Sequence, residues 1–155
     1  MAVPDGARRS SSAPQHVDQL REYLKKHDLL ENVRILGLLP RAEQVQLMRR
    51  SVAIVQPSLF EGWSSLVEDA RALGKRIYVS DIPVHREQDP QQASFFAPRE
   101  PESLAELIAR DWEKFEPGPD SSQERQASEE NRHRSREFAL SFLGLVERTL
   151  QAAAQ

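Results

Sequence analysis

The stretch Gln56-Pro57-Ser58-Leu59-Phe60-Glu61-Gly62-Trp63-Ser64-Ser65-Leu66-Val67-Glu68-Asp69 decides the fold. The apolar run before it, Val52-Ala53-Ile54-Val55, has the length of one strand buried on both faces. After it, Leu66, Val67, Ala70 and Leu73 recur with helical spacing. Strand, loop and helix of this kind form the edge where open α/β sheets hold ligands. A helix start also offers unpaired backbone N–H groups, which suit a phosphate.

The acids in this stretch separate by position. Glu61 falls in the loop, ahead of the helix. Ser65 and Glu68 stand three apart, the spacing of a capping box, so Glu68 reads first as a cap partner. Asp69 is turned about 100° from Glu68 around the helix. It has two readings: an acceptor for ligand hydroxyls, or an acid that favours the helix N-terminus. Trp63 likewise reads as packing under the loop or as a ligand contact.

These residues resemble a known family. Glu61-Gly62-Trp63-Ser64, Asp69, Gly74-Lys75 and Ser80-Asp81 are similar to the donor-binding core of family-four retaining glycosyltransferases, which have the GT-B fold. Leu36-Gly37 and Pro57-Ser58 agree with the same pattern, and the likeness runs over roughly residues 15 to 115. The family pattern has two acids separated by seven residues, as Glu61 and Asp69 are. Here the second acid is Asp, and the neighbouring Glu68 is the alternative acid. Trp63-Ser64-Ser65 stands where the family more often has an aromatic residue, glycine and leucine.

The resemblance implies a nucleotide sugar lying across the C-terminal edge of the strands. Glu61 is then the catalytic acid against the donor sugar. Gly62, Trp63, Ser64, Ser65 and Leu66 meet sugar and diphosphate, and Asp69 takes the ribose hydroxyls. The implied reaction transfers a sugar to an acceptor hydroxyl, on a glycan or a lipid, with retention. Neither a cofactor nor a metal is expected. The GT-B fold has two Rossmann-like halves, and the likeness starts inside the second, C-terminal one. The chain therefore reads as a donor-binding half, inactive alone, that needs an N-terminal GT-B domain or a partner chain. The rival readings are a non-catalytic interaction domain that kept the fold, or another GT-B enzyme such as an epimerase or a phosphorylase.

Outward from this centre, the chain alternates. Residues 1–13 read as a disordered N-terminal segment. Val17, Leu20, Tyr23 and Leu24 give a first helix, and Val33-Arg34-Ile35-Leu36 a strand closed by Gly37. A helix follows Pro40. Gly74 reads as the C-cap of the central helix, Arg76 to Val79 as a strand, and Val84 to Gln88 as a short helix. Ala93 to Phe96 is the fourth strand, and residues 101–115 form a helix. Residues 14–116 thus form an incomplete Rossmann-like domain, an α/β fold with about four parallel strands flanked by helices. Residues 117–155 read as a linker and C-terminal helices. The polar run from Ser121 to Arg136 precedes an amphipathic helix through Phe142, Leu145 and Leu150.

The bulk numbers fit this reading. The 155 residues suffice for one core, and a net charge of −3 gives no basic excess for nucleic acid. The chain has no cysteine, so disulfides and thiolate metal sites are excluded. No membrane-length apolar run or signal sequence is present, which suggests a cytoplasmic protein. Arg132, His133, Arg134 and Arg136 leave a peripheral membrane contact as an alternative. The four histidines are scattered, and His85, nearest the loop, reads as a structural hydrogen-bonding residue rather than a catalyst. Ser80 and Asp81 read as caps of the turn or helix after them.

Overall fold

The computed structural model describes residues 12 to 153. Two compact units divide between Leu39 and Pro40. Of the segment expected to be disordered, residues 1–11 lie outside the described residues, and Ser12 already belongs to a helix.

The first unit contains α1 (Ser12–Lys26). Its chain turns at Asp28, whose φ is +55°, and Leu29 N–H returns to the Leu24 carbonyl at 2.9 Å. Leu24 of this helix is buried. The run Val33–Leu36, expected as a strand, forms none. A strand needs a neighbouring strand to take its N–H and C=O groups, and the described residues of this unit supply only a helix. Val33 and Leu36 accordingly stay exposed.

The second unit is a three-stranded parallel sheet flanked by helices. The strands are β1 (Ile54–Gln56), β2 (Ile77–Ser80) and β3 (Ala93–Phe96), in the order β1-β2-β3. Ile54 pairs with Ile77, and Ile77 with Ala93. Of the four expected strands the first, the Val33 run, does not form, so the count falls to three. The helices are α2 (Arg41–Arg50), α3 (Ser65–Ala72), α4 (Pro83–Gln88), α5 (Pro101–Asp111) and α6 (Ser121–Ala153). A 3-10 turn, Trp112–Lys114, continues α5.

Every residue of β2 is buried, as its run of Ile77, Tyr78 and Val79 at the centre of a parallel sheet requires. The core joins Ile77 and Val79 to Ile54, Met48 of α2, and Val67 and Ala70 of α3. Gly74 ends α3 at φ +61°. Gly74 N–H bonds to the Arg71 carbonyl at 3.1 Å and Lys75 N–H to the Ala70 carbonyl at 2.9 Å, a Schellman motif. A Cβ on Gly74 would lie 2.7 Å from the Gln123 backbone oxygen, so glycine also permits α6 to pack here.

Lys75 is buried beneath the N-terminal edge of the sheet. Its ammonium donates to the carbonyls of Ser51 and Gly118, both at 2.8 Å. Burial pushes it below the ordinary lysine value. Asp111, at the end of α5, is also buried and accepts from Arg76, Tyr78, Arg110 and Lys114. These bonds fix α5 against the central strand.

Residues 121–153 form one continuous helix, so the polar run is itself helical and joins the amphipathic helix without a break. Asp120 starts it, its carboxylate accepting from the N–H groups of Ser122 and Gln123 at 2.9 and 3.0 Å. No proline or glycine pair interrupts the polar run, so the helix continues into the apolar one. Its first half packs on α3 through buried Ala127, and Arg49 of α2 clasps Glu124 through two bonds of 2.7 and 2.8 Å. Among the described residues no helix is long and apolar enough to cross a membrane.

Candidate functional site

The loop between β1 and α3 is held by a polar network at the C-terminal edge of the sheet. Gln56, the last residue of β1, donates from Nε2 to Glu61 Oε1 at 2.7 Å and to Ser64 Oγ at 3.2 Å. Ser58 Oγ donates to the same Glu61 oxygen at 2.6 Å. Ser80, at the end of β2, donates its hydroxyl to the Ser58 carbonyl. Two strand ends thus position one loop carboxylate. The Gln56 amide, at the start of the stretch that decides the fold, is what joins Glu61 to Ser64.

Ser64, not Ser65, caps α3. Its backbone is extended, with φ −84° and ψ 109°, and its Oγ accepts from Val67 N–H at 3.4 Å. The expected capping box therefore does not form. Glu68 instead accepts two bonds from Arg71 Nη1, at 3.1 and 2.8 Å, and one from Gln88 Nε2 at 2.9 Å. Arg134 of α6 also approaches it at 3.7 Å. Once Ser64 is the cap, Glu68 sits one position beyond the residue that would reach back to the cap backbone.

Gln88 of α4 locks the cap from the other side. Its Nε2 donates to the Ser64 carbonyl at 2.9 Å, and its Oε1 accepts from Ser64 N–H at 3.3 Å. The Ser64 amide is thus occupied. The N–H groups of Ser65 and Leu66 point from the first turn of α3 with no partner among the described residues. Free donors at a helix start, followed by the positive end of its dipole, favour an anion.

Asp69 joins a different pair. Both its oxygens accept from the guanidinium fork of Arg41, the first residue of α2. The pairing raises the Arg41 guanidinium above its ordinary value. The Asp69 side chain retains 18% exposure, and a carboxylate has about four acceptor positions, of which the fork uses two. Room for further donors remains. Arg41 stands at no motif spacing from Asp69, so no local pattern reports the pair.

The apolar part of the loop faces solvent. Trp63 is 54% exposed and Phe60 86% exposed, so Trp63 does not pack beneath the loop as core. Gly62 lies between them with open space where a Cβ would stand.

Ser80 and Asp81 do not cap α4. Its N-cap is Ile82, with no side-chain bond, and Asp81 forms a two-bond pair with Arg86 at 2.6 and 2.7 Å. That pairing holds the Asp81 carboxyl below its usual range. His85 is fully buried, and its Nδ1 lies 2.8 Å from the Ser80 carbonyl. A carbonyl only accepts, so Nδ1 carries the proton. The histidine fastens α4 to the end of β2. Among the described residues no cluster of three or more His, Cys, Asp or Glu has the placement of a metal site.

A family model described as glycosyl transferases group 1 matches residues 13–132, most of the chain. No curated protein and no solved structure matches it. The parallel sheet flanked by helices agrees with the family match, and the chain belongs to the group 1 glycosyl transferases.

Proposed function

We propose that this chain is the donor-binding half of a family-four-type retaining glycosyltransferase, corresponding to the C-terminal domain of a GT-B fold. Glu61 is the acid against the donor sugar. Gly62, Trp63, Ser64, Ser65 and Leu66 line the sugar and diphosphate, with the free amides of Ser65 and Leu66 taking phosphate oxygens. Asp69 accepts the ribose hydroxyls on the positions that Arg41 leaves open. Glu68, already committed to Arg71 and Gln88, is the weaker choice for that role.

The carrying observation is the support of Glu61 by Gln56 of β1 and by Ser58, itself held by Ser80 of β2, beside the free Ser65 and Leu66 amides in the first turn of α3. In the reaction the bond from the anomeric carbon to the diphosphate oxygen breaks, and its electron pair leaves with the diphosphate. The acceptor hydroxyl oxygen bonds to the same face of that carbon and passes its proton to the departing diphosphate oxygen. Oriented N–H groups offset the charge growing on the diphosphate. The donor enters as substrate, and no step is assigned to a metal or cofactor.

The acceptor, a glycan or lipid, is positioned by a second Rossmann-like half, on the same polypeptide or a partner chain. Without it the orientation contribution to a two-substrate reaction is lost, so this chain alone binds donor and transfers nothing. Titration calorimetry with uridine, guanosine and adenosine diphosphates tests the binding, and a radiolabelled-sugar assay tests transfer. Binding of one diphosphate with weakening in Asp69→Ala supports the reading. Absence of binding to all three contradicts it.

A further inference from the structure

The end of α3, the start of α6 and the connection from α4 to β3 enclose a cavity of about 40 Å³. Arg71 of α3, Gly74 just beyond it, Gln92 ahead of β3, and Gln126, Ala127 and Glu130 of α6 line it. Gln126 is exposed, so the cavity reaches the surface on that side. The Arg71 side chain is only 9% exposed. Its Nη1 donates to both oxygens of Glu68. Its Nε and Nη2 are buried and meet no acceptor among the described residues. Elsewhere in the chain these same two atoms form the paired edge of a guanidinium. Arg49 holds Glu124 through them, and Arg86 holds Asp81. Two parallel N–H groups at that spacing match the two oxygens of a carboxylate.

The charge around this edge is short of an anion. Glu68 is shared, since Gln88 also donates to it and Arg134 approaches it at 3.7 Å. Lys75 lines the cavity too, with its ammonium turned to the Ser51 and Gly118 carbonyls. Glu130 accepts from Gln126 Nε2 at 2.9 Å and forms no ion pair with Arg71. Burial, ahead of the opposing attraction of Glu68, pushes the Arg71 guanidinium below its ordinary value. A buried cation with two unsatisfied donors is costly until an acceptor completes it.

We propose that this cavity binds a small planar oxyanion, a carboxylate or bicarbonate, with two of its oxygens on Nε and Nη2 of Arg71. Size limits the ligand. A water needs about 10–15 Å³ of such space, so the cavity holds about three waters or one ion of three or four heavy atoms. Gln92 Nε2 donates to Gln123 Oε1 at 2.7 Å, and Gln126 Nε2 to Glu130. Each amide nitrogen keeps a second N–H for the ion. At the highest binding energy per atom that very small ligands reach, three heavy atoms give a dissociation constant of about 1 mM. A bound ion would tie α3 to α6 and raise the stability of the fold.

Nitrogen–proton spectra of the full chain, which record the Arg71 Nε–H signal, test the site. Sodium formate or sodium bicarbonate should shift that signal saturably, half-maximally at about 1–10 mM. Sodium chloride at the same ionic strength should not. A response to formate alone assigns a carboxylate, and a response to bicarbonate alone assigns that ion. Magnetisation transfer from the formate proton to the Ala70 and Ala127 methyl groups places formate in the cavity of the wild-type chain. Arg71→Lys keeps a positive charge beside Glu68 but lacks the two-donor edge, and should weaken binding at least tenfold. Urea midpoints should rise with formate in wild type and not in Arg71→Lys. An Arg71 Nε–H signal unmoved by 100 mM of either anion overturns the proposal and leaves the cavity to water. A shift that chloride reproduces also overturns it, as does a folded Arg71→Lys chain that binds as wild type does. If Arg71→Lys does not fold, the wild-type transfer experiment decides alone, and its failure at saturation overturns the site. None of these outcomes bears on diphosphate binding at the β1–α3 loop.

Discussion

Gln88 of α4 holds both the amide and the carbonyl of Ser64, the residue that caps α3. The bond to the carbonyl is 2.9 Å and the bond from the amide is 3.3 Å. One buried side chain therefore ties the β1–α3 loop to the element after β2, and so sets how the first turn of α3 faces the sheet edge.

Gln88→Ala leaves the buried Ser64 amide without a partner, strips the Ser64 carbonyl of the shorter of its two bonds and removes a donor from Glu68. It should destabilise the fold by about 1–3 kcal/mol, measured by urea denaturation. Ser64→Ala loses the cap bond and the longer of the two bonds from Gln56, and should cost about 1 kcal/mol.

Gly74→Ala meets two obstacles. A non-glycine residue is strained at φ +61°, and the added Cβ meets the Gln123 backbone. The loss should exceed about 1 kcal/mol. Hydrogen exchange should locate it, with faster exchange at the start of α6 and at the end of α3.

Asp111 predicts an acid limb to stability. Arg110 chiefly, and then Lys114 and Tyr78, hold its carboxyl well below the usual carboxylate range, against the opposing effect of burial. The folded value is thus lower than the unfolded one, and on acidification the unfolded chain takes up the proton first. The contribution is complete above about pH 5 and is lost as pH falls below about 4. Urea midpoints measured against pH should drop more steeply over that window in wild type than in Asp111→Asn.

The strands and helices of the second unit were legible because short apolar runs alternate with helical periods between clear breakers. Ala93–Phe96 and Gly74 stand where those signals put them. The Val33 run carried the same local signal, but a strand also needs an edge to pair with, which no local pattern reports. Ser64 and Ser65 are equivalent as letters, and only the extended backbone of Ser64 decides which one caps. At the candidate site the acids were legible and their partners were not. Arg41 reaches Asp69 across 28 residues and Gln88 reaches Ser64 across 24, separations with no periodicity to read. Asp111 was hidden for the same reason, since its partners Tyr78 and Arg76 lie 33 and 35 residues away.

The central claim is that the first turn of α3 receives the diphosphate of a sugar nucleotide beside Glu61 and Asp69. The most direct measurement is a nitrogen–proton correlation spectrum of the chain titrated with uridine, guanosine and adenosine diphosphates. One of them should move the amide signals of Ser65 and Leu66 furthest, with Gly62 and Trp63 following. Asp69→Ala should weaken that binding about tenfold, as loss of charge-assisted bonds to the ribose predicts. Shifts confined to other parts of the chain, with Ser65 and Leu66 unmoved at saturation, would contradict the account.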